Sequence, residues 1–261
     1  LYPSGLPIWP EETLEDIIAK YRVDRCILSY SDLYHQAVMD LAERVLAIGA
    51  DFGFLGGWHT MLKSKKKVIA VCAVRTGAGK SQVVRYIAEV IRKGGLLAVV
   101  VRHPMPYGNL VDEAVQRFSS RADLDEANLT IEEREEYERH ISKGTVVYAG
   151  VDYQAILHRA EEEADVIVWD GGNNDTPFFK PDLWITVADA LRPGHEMLYY
   201  PGETNFRAAD LIVINKANSA AEEDIISIEA NAARLNPKAS VVVAGSEVRA
   251  EDPEIIRHKR V

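Results

Sequence analysis

The sequence predicts an α/β protein built on a doubly wound, mostly parallel sheet, preceded by part of a Rossmann-like α/β domain. Three observations carry this. Short runs that are apolar on both faces, such as 96–101 and 166–169, recur along the chain and mark parallel strands covered by helices. Segments with helical spacing fall between most of them. One such run, 67–73, passes through the glycine-rich turn Val74-Arg75-Thr76-Gly77-Ala78-Gly79-Lys80-Ser81 into the helical stretch 82–92.

Taken in order, residues 11–21 read as a helix with Leu14, Ile17 and Ile18 on one face, and 25–29 as a strand. Residues 34–48 read as a helix, with Val38, Leu41, Val45 and Leu46 at helical spacing, and 51–55 as a short strand. Two strands alone make a poor sheet. Residues 1–62 are therefore expected to be what remains of the Rossmann-like domain, and 63–261 a second domain. The run Lys63-Ser64-Lys65-Lys66-Lys67 reads as a solvated connector. Strands are then expected at 67–73, 96–101, 145–149, 165–169, 183–187, 210–214 and 240–244. The stretch 119–144 is an acidic, helix-prone insertion, and its Thr130-Ile131-Glu132-Glu133 has the form of a capping box. The chain opens at Leu1 without Met and closes at Val261 with no terminal element. It is expected to be part of a longer protein, with the end of the second domain missing.

Composition narrows the function classes. The net charge of −10 argues against general nucleic-acid binding. It does not exclude a phosphorylated substrate, because a site can be locally positive. Cys26 and Cys72 fall in expected buried strands and give neither a disulfide framework nor metal-ligand spacing. That usage fits a reducing cytoplasm. No apolar run reaches about 18 residues, so no membrane span is expected.

The turn at 74–81 reads as a phosphate-binding loop. Glycines let backbone N–H groups close around a polyphosphate, and the helix N-terminus adds partial positive charge. Residues Arg75, Thr76, Gly77, Ala78, Gly79, Lys80, Ser81 and Gln82 are assigned to the nucleotide. Lys80 is the catalytic cation, and the Ser81 hydroxyl a ligand for Mg²⁺. The usual spacing has Gly where Val74 stands. A variant of the loop with Lys near its start aligns better, with Arg75 in the Lys place. Together with the sheet, this predicts a P-loop NTPase.

Asp170 ends an apolar strand and precedes Gly171-Gly172-Asn173-Asn174-Asp175. Ligands of parallel sheets sit at strand carboxyl ends, so Asp170 is expected to be catalytic and the second Mg²⁺ anchor. Asn215-Lys216-Ala217-Asn218 is similar to the base-recognition motif of GTP-binding proteins, with Asn218 where those have Asp. A purine site at Asn215 and Lys216 is expected, for ATP or GTP, and guanine preference loses its charged acceptor. Arg102, His103 and Arg207 are candidates for clamping a small phosphorylated substrate. Arg192-Pro193-Gly194-His195-Glu196 is a candidate loop closing on the γ-phosphate. His140, His158 and His258 read as surface residues.

These strings together resemble cyclic 2,3-diphosphoglycerate synthetase and the predicted GTPases related to it. The resemblance rests on residues 1–10, Tyr30-Ser31-Asp32, 49–52, the phosphate loop, 102–108, 169–175, 192–196, 201–205 and 214–218. It implies an ATP-dependent ligase that closes 2,3-diphosphoglycerate to its cyclic pyrophosphate, releasing ADP and phosphate. It also implies kinship with dimeric ATPases and metal-chaperone GTPases. In a homodimer of that kind, Arg75 would meet a nucleotide phosphate across the interface. A GTPase of metal-chaperone or regulatory type is the alternative.

Overall fold

A computed structural model of the chain describes residues 6–103, 111, 113–172 and 175–247. In chain order the elements are α1 (Leu14–Tyr21), β1 (Arg25–Leu28), β2 (Leu33–Tyr34), α2 (His35–Ala47), β3 (Asp51–Phe54), β4 (Lys67–Ala73), α3 (Lys80–Lys93) and β5 (Ala98–Arg102). They continue with β6 (Gln116–Phe118), α4 (Arg121–Glu126), α5 (Ile131–Ile141), β7 (Val146–Ala149), α6 (Tyr153–Glu163) and β8 (Val166–Asp170). The last are β9 (Leu183–Asp189), β10 (Tyr199–Tyr200), α7 (Gly202–Ala208), β11 (Leu211–Asn215), α8 (Glu222–Leu235) and β12 (Ser240–Val243).

Eight strands form the main sheet in the order β12-β11-β9-β4-β8-β5-β7-β6. All pair in parallel except β6, which runs antiparallel to β7 at the edge. This is the doubly wound P-loop NTPase architecture the sequence predicts, with the loop-bearing strand β4 at the centre. Both faces of β4 are covered. Val68 and Ala70 pack with Val99, Val101, Ile167 and Trp169 beneath α6. Val71 and Ala73 pack with Val84, Ala88 and Ile91 of α3 on the other face. A fully buried Val or Ile contributes roughly 1.5–3 kcal/mol. The frame under the loop is therefore held from both sides.

The insertion forms α4 and α5. Both begin with capping boxes, Ser120 with Asp123 and Thr130 with Glu133. Ahead of the main sheet, β1 and β3 make a separate two-stranded parallel sheet with α1 and α2 beside it. That unit meets the rest through β2, which pairs antiparallel with β10, and through the amide of His35, which donates to the Leu198 carbonyl at 3.0 Å. No helix among the described residues is long and apolar enough to cross a membrane.

Candidate functional site

The strand β4 does not stop at its last residue. The Val74 amide donates to the Val187 carbonyl at 3.0 Å, so strand geometry persists where a glycine usually stands. The chain then turns through Gly77 (φ +85°) and Gly79 (φ +102°) into α3. A β-carbon on Gly79 would overlap the Asn215 amide nitrogen, so only glycine fits there. Among the described residues no backbone carbonyl accepts from the amides of Thr76, Gly77, Gly79, Lys80 or Ser81. Unspent amides at the start of a 14-residue helix make an anion-receptive turn.

Behind the turn lies a buried charge cluster. Asp170 is 0 % exposed at the end of β8. Its Oδ1 pairs with the Lys80 ammonium, and its Oδ2 accepts from Arg102 Nη1 at 2.5 Å. Arg102, 5 % exposed, also pairs with Glu136 of α5. His140 Nε2 stands 4.0 Å from Asp170 Oδ2. Burial alone would raise the Asp170 pKa. The Arg102 and Lys80 cations overcome it and hold the carboxyl at about 2. Burial takes the opposite course with His140, whose pKa falls to about 4, and the neighbouring Arg102, Arg85 and Lys80 charges reinforce that.

Two expectations change here. Arg102 is not a clamp facing an open cleft; its guanidinium is enclosed between Asp170 and Glu136. His140 is not a surface residue: at 1 % exposure it is packed against the cluster. His158 is exposed as expected, and His258 lies outside the described residues.

The strand β11 delivers Asn215 and Lys216 to the other side of the loop. Asn215 Nδ2 donates to the Ala78 carbonyl at 3.0 Å. Lys216, left-handed at φ +64°, places Nζ 2.7 Å from both the Gly77 carbonyl and Asp189 Oδ2. Both residues therefore brace the loop. Asn218 points elsewhere, its Oδ1 accepting from the Ser246 amide at 2.6 Å. Ser246 Oγ in turn donates to Gln82 Oε1 at 2.6 Å.

The outer rim carries further cations. Arg75 lies over the Tyr199 ring, 4.6 Å from its centroid, and its Nη1 reaches His195 Nδ1 at 3.2 Å. Tyr199 stacks on Tyr34 of β2, with centroids 4.3 Å apart. Arg192 Nη1 donates to the Thr76 carbonyl at 3.4 Å. Burial, then the Arg75 and Arg192 charges, pushes the His195 pKa down. The sequence offered the 192–196 string as a signal for this rim. It offered none for Glu136.

The remaining candidates separate from the loop. Arg207 is exposed on α7 and pairs with Glu203 one turn earlier, with Nε to Oε1 at 2.7 Å, so it is a helix-surface ion pair and not part of the cluster. His103 sits past β5, with Nε2 3.9 Å from Asp175 Oδ2. Residues 104–110, which hold the rest of the 102–108 string, lie outside the described residues, as do Asn173 and Asn174. The Ser81 hydroxyl has no protein partner among the described residues. No group of three or more His, Cys, Asp or Glu side chains there could hold a metal by itself. A cation at Ser81 would thus depend on phosphate oxygens and water, as Mg²⁺ does beside a polyphosphate.

No family model matches the chain. Several solved structures are similar in part. One is the hydrogenase maturation factor HypB from Archaeoglobus fulgidus, with TM-score 0.44 and 18% identity, over 68% of this chain and 80% of that one. Another is LpxK from Aquifex aeolicus in complex with ATP, with TM-score 0.46 and 16% identity, over 77% of this chain and 58% of that one. Over 261 residues, the whole of this chain, the sequence is 54% identical to a protein named arginine synthetase ArcE from Thermococcus kodakarensis. The chain spans 58% of the length of that relative.

Proposed function

We propose that the chain is the phosphate-loop part of a nucleoside-triphosphate-dependent synthetase, in which the terminal phosphate of ATP activates an oxygen of a small substrate. The observation that most supports this is the turn at 76–81, with its unspent amides and Lys80 held at its mouth by Asp170. The similarity to a protein named a synthetase points the same way.

In this reading the loop amides and Lys80 bind the β- and γ-phosphates, and Arg102 keeps Asp170 ionised when Lys80 turns to the nucleotide. Ser81 Oγ would hold Mg²⁺, with the Asp170 carboxylate reaching it through water once Lys80 has turned to the nucleotide; the ion supplies charge compensation to the phosphates when bound. Asn215 and Lys216 fix the loop from the purine side. The division into units at 62/63 and the cytoplasmic setting belong to the same proposal.

For the product, the relative's name favours arginine. Making a guanidinium from a ureido group requires its oxygen to leave. Phosphoryl transfer to that oxygen makes phosphate the leaving group, and ammonia then bonds to the carbon as phosphate departs. The strings at 102–108 and 169–175 favour a second reading, closure of 2,3-diphosphoglycerate to its cyclic pyrophosphate. There the acceptor is a substrate phosphate, and the displacing group is the substrate's other phosphate. A GTPase without a small-molecule product is the third, supported by Asn215-Lys216.

The test is consumption of ATP and of GTP by the full-length protein. It is run alone, with the ureido analogue of arginine plus ammonia, and with 2,3-diphosphoglycerate. Substrate-dependent ADP release with arginine as product is expected. Cyclic product by phosphorus NMR selects the second reading, and substrate-independent GTP hydrolysis the third. Turnover that survives Lys80→Ala sinks all three.

A further inference from the structure

We infer that Arg75, Arg192 and His195 form a second oxyanion subsite on the outer rim of the phosphate loop, taking a phosphoryl or carboxylate group. The choice of ligand rests on the phosphoryl-transfer reading above; the subsite itself rests on geometry. Arg75 belongs to the loop, while Arg192 and His195 follow β9, the neighbour of the loop-bearing strand.

The charge balance points to a missing anion. Among the described residues no carboxylate pairs with Arg75. Arg192 Nε has only a long contact, 3.7 Å, with Asp189 Oδ2. That same oxygen already accepts from Lys216 at 2.7 Å. Arg75, Arg192 and Lys216 thus converge on a rim whose ion pairs, among the described residues, all run to Asp189, while the buried Glu196 beside His195 accepts from Asn231 Nδ2 at 2.7 Å instead of pairing with a rim cation. Like charges gathered without counter-charge are costly unless an anion joins them.

Hydrogen-bond chemistry fixes the third donor. A guanidinium only donates, so His195 Nδ1 must accept from Arg75. A ring that accepts at Nδ1 carries its proton at Nε2, which leaves that N–H to serve a ligand. The Arg75 and Arg192 guanidiniums each have five N–H donors, and the contacts above use only a few of them.

The site is also preorganised. Asp189 closes the turn that presents Arg192: its carbonyl accepts from the Arg192 amide at 2.9 Å, and its Oδ1 from the Leu191 amide at 3.1 Å. The His195 amide donates to the Arg192 carbonyl at 3.2 Å. The Tyr199 ring holds the Arg75 plane in place. Arg192 Nη1 lies 3.7 Å from where a β-carbon on Gly77 would stand, so the subsite borders the loop itself. An oxyanion there is either the terminal phosphate of the nucleotide or an acidic group on the second substrate.

The experiment separates these sources. The full-length protein is titrated with ADP, with an ATP analogue carrying a non-hydrolysable β–γ bridge, and with inorganic phosphate. Arg192→Met and Arg75→Met are titrated alongside. If the oxyanion is the terminal phosphate, Arg192→Met weakens the triphosphate at least tenfold and ADP less than twofold. If it belongs to the second substrate, both nucleotides bind Arg192→Met as they bind the parent. Inorganic phosphate then binds the triphosphate-loaded parent at least tenfold better than the loaded variant. Unchanged binding of all three ligands by Arg192→Met overturns the subsite, as does an equal loss for both nucleotides. Arg75→Met takes the guanidinium off the Tyr199 ring, so its unfolding temperature is read too. Arg192 is exposed, and its variant is expected to unfold with the parent. A parent that binds phosphate through Arg192 but no nucleotide keeps the subsite and discards the phosphate-loop reading.

Discussion

Replacing Arg102 by Met keeps most of the stem and removes the charge. Asp170 stays fully buried and retains only Lys80, while Glu136, about a third exposed, regains water and matters little. Two routes give the cost. A carboxyl held at about 2 against an ordinary 3.8 represents about 2 kcal/mol of stability at neutral pH. Removing one partner of a buried ion pair costs roughly 3–5 kcal/mol. Since Lys80 remains, a loss of about 3 kcal/mol is expected, or about 6–12 °C in unfolding temperature for a chain of this size. The assay is thermal unfolding of parent, Arg102→Met and Arg102→Lys at pH 7, without nucleotide. The pH dependence gives a second readout. The folded pKa of Asp170 is depressed, so its contribution is complete above about pH 4 and is lost as pH falls toward 2. That acid limb should be shallower in Arg102→Met. A Met variant within about 1 kcal/mol of the parent, with an unaltered limb, would refute the reasoning and return Arg102 to the role of substrate clamp.

Further outcomes follow from neighbouring groups. His140 is buried neutral with its pKa at about 4, whereas the unfolded chain takes up a proton near 6.5. Its contribution, about 3 kcal/mol, is complete above pH 6.5 and is lost as pH falls toward 4, a window separate from that of Asp170. Urea unfolding at pH 7.5, 5.5 and 4.5 should show this loss in the parent and not in His140→Gln; identical slopes would assign it to another group. At Gly202 an added β-carbon would overlap the Val74 carbonyl oxygen, a backbone contact that no side-chain adjustment relieves. Gly202→Ala should lose about 1–3 kcal/mol and weaken nucleotide binding together. Calorimetry that finds the parent's affinity in this variant would show the loop to be independent of α7.

The sheet was readable because its inner strands are covered on both faces. Runs such as Val166-Ile167-Val168-Trp169 have no polar position to confuse the assignment, and Asp170 marks where that strand reaches the carboxyl edge of the sheet. Three strands escaped. β6 is a three-residue, half-polar edge strand, and β2 and β10 have two residues each, too few for a period. The loop was legible because its chemistry is contiguous. The cluster behind it was not, because α5 reads as a solvated helix. Its buried residues are Glu133, Tyr137 and His140, and a buried polar face leaves no hydrophobic period. Arg102 was seen as a cation at a strand end; its partners arrive from 34 and 68 positions away along the chain.

The contact of β2 with β10 has a thermodynamic consequence. Tyr34, Tyr199 and Arg75 form one stacked column drawn from three distant parts of the chain: the N-terminal unit, the segment after β9, and the phosphate loop. A ligand that steadies Arg75 steadies the top of that column and hence the docking of β2 at its base. Linkage is reciprocal, so whatever anchors the N-terminal unit tightens the ligand by the same factor. Hydrogen exchange at the β2–β10 amides is thus a remote gauge of what occupies the loop, read from residues that touch no ligand.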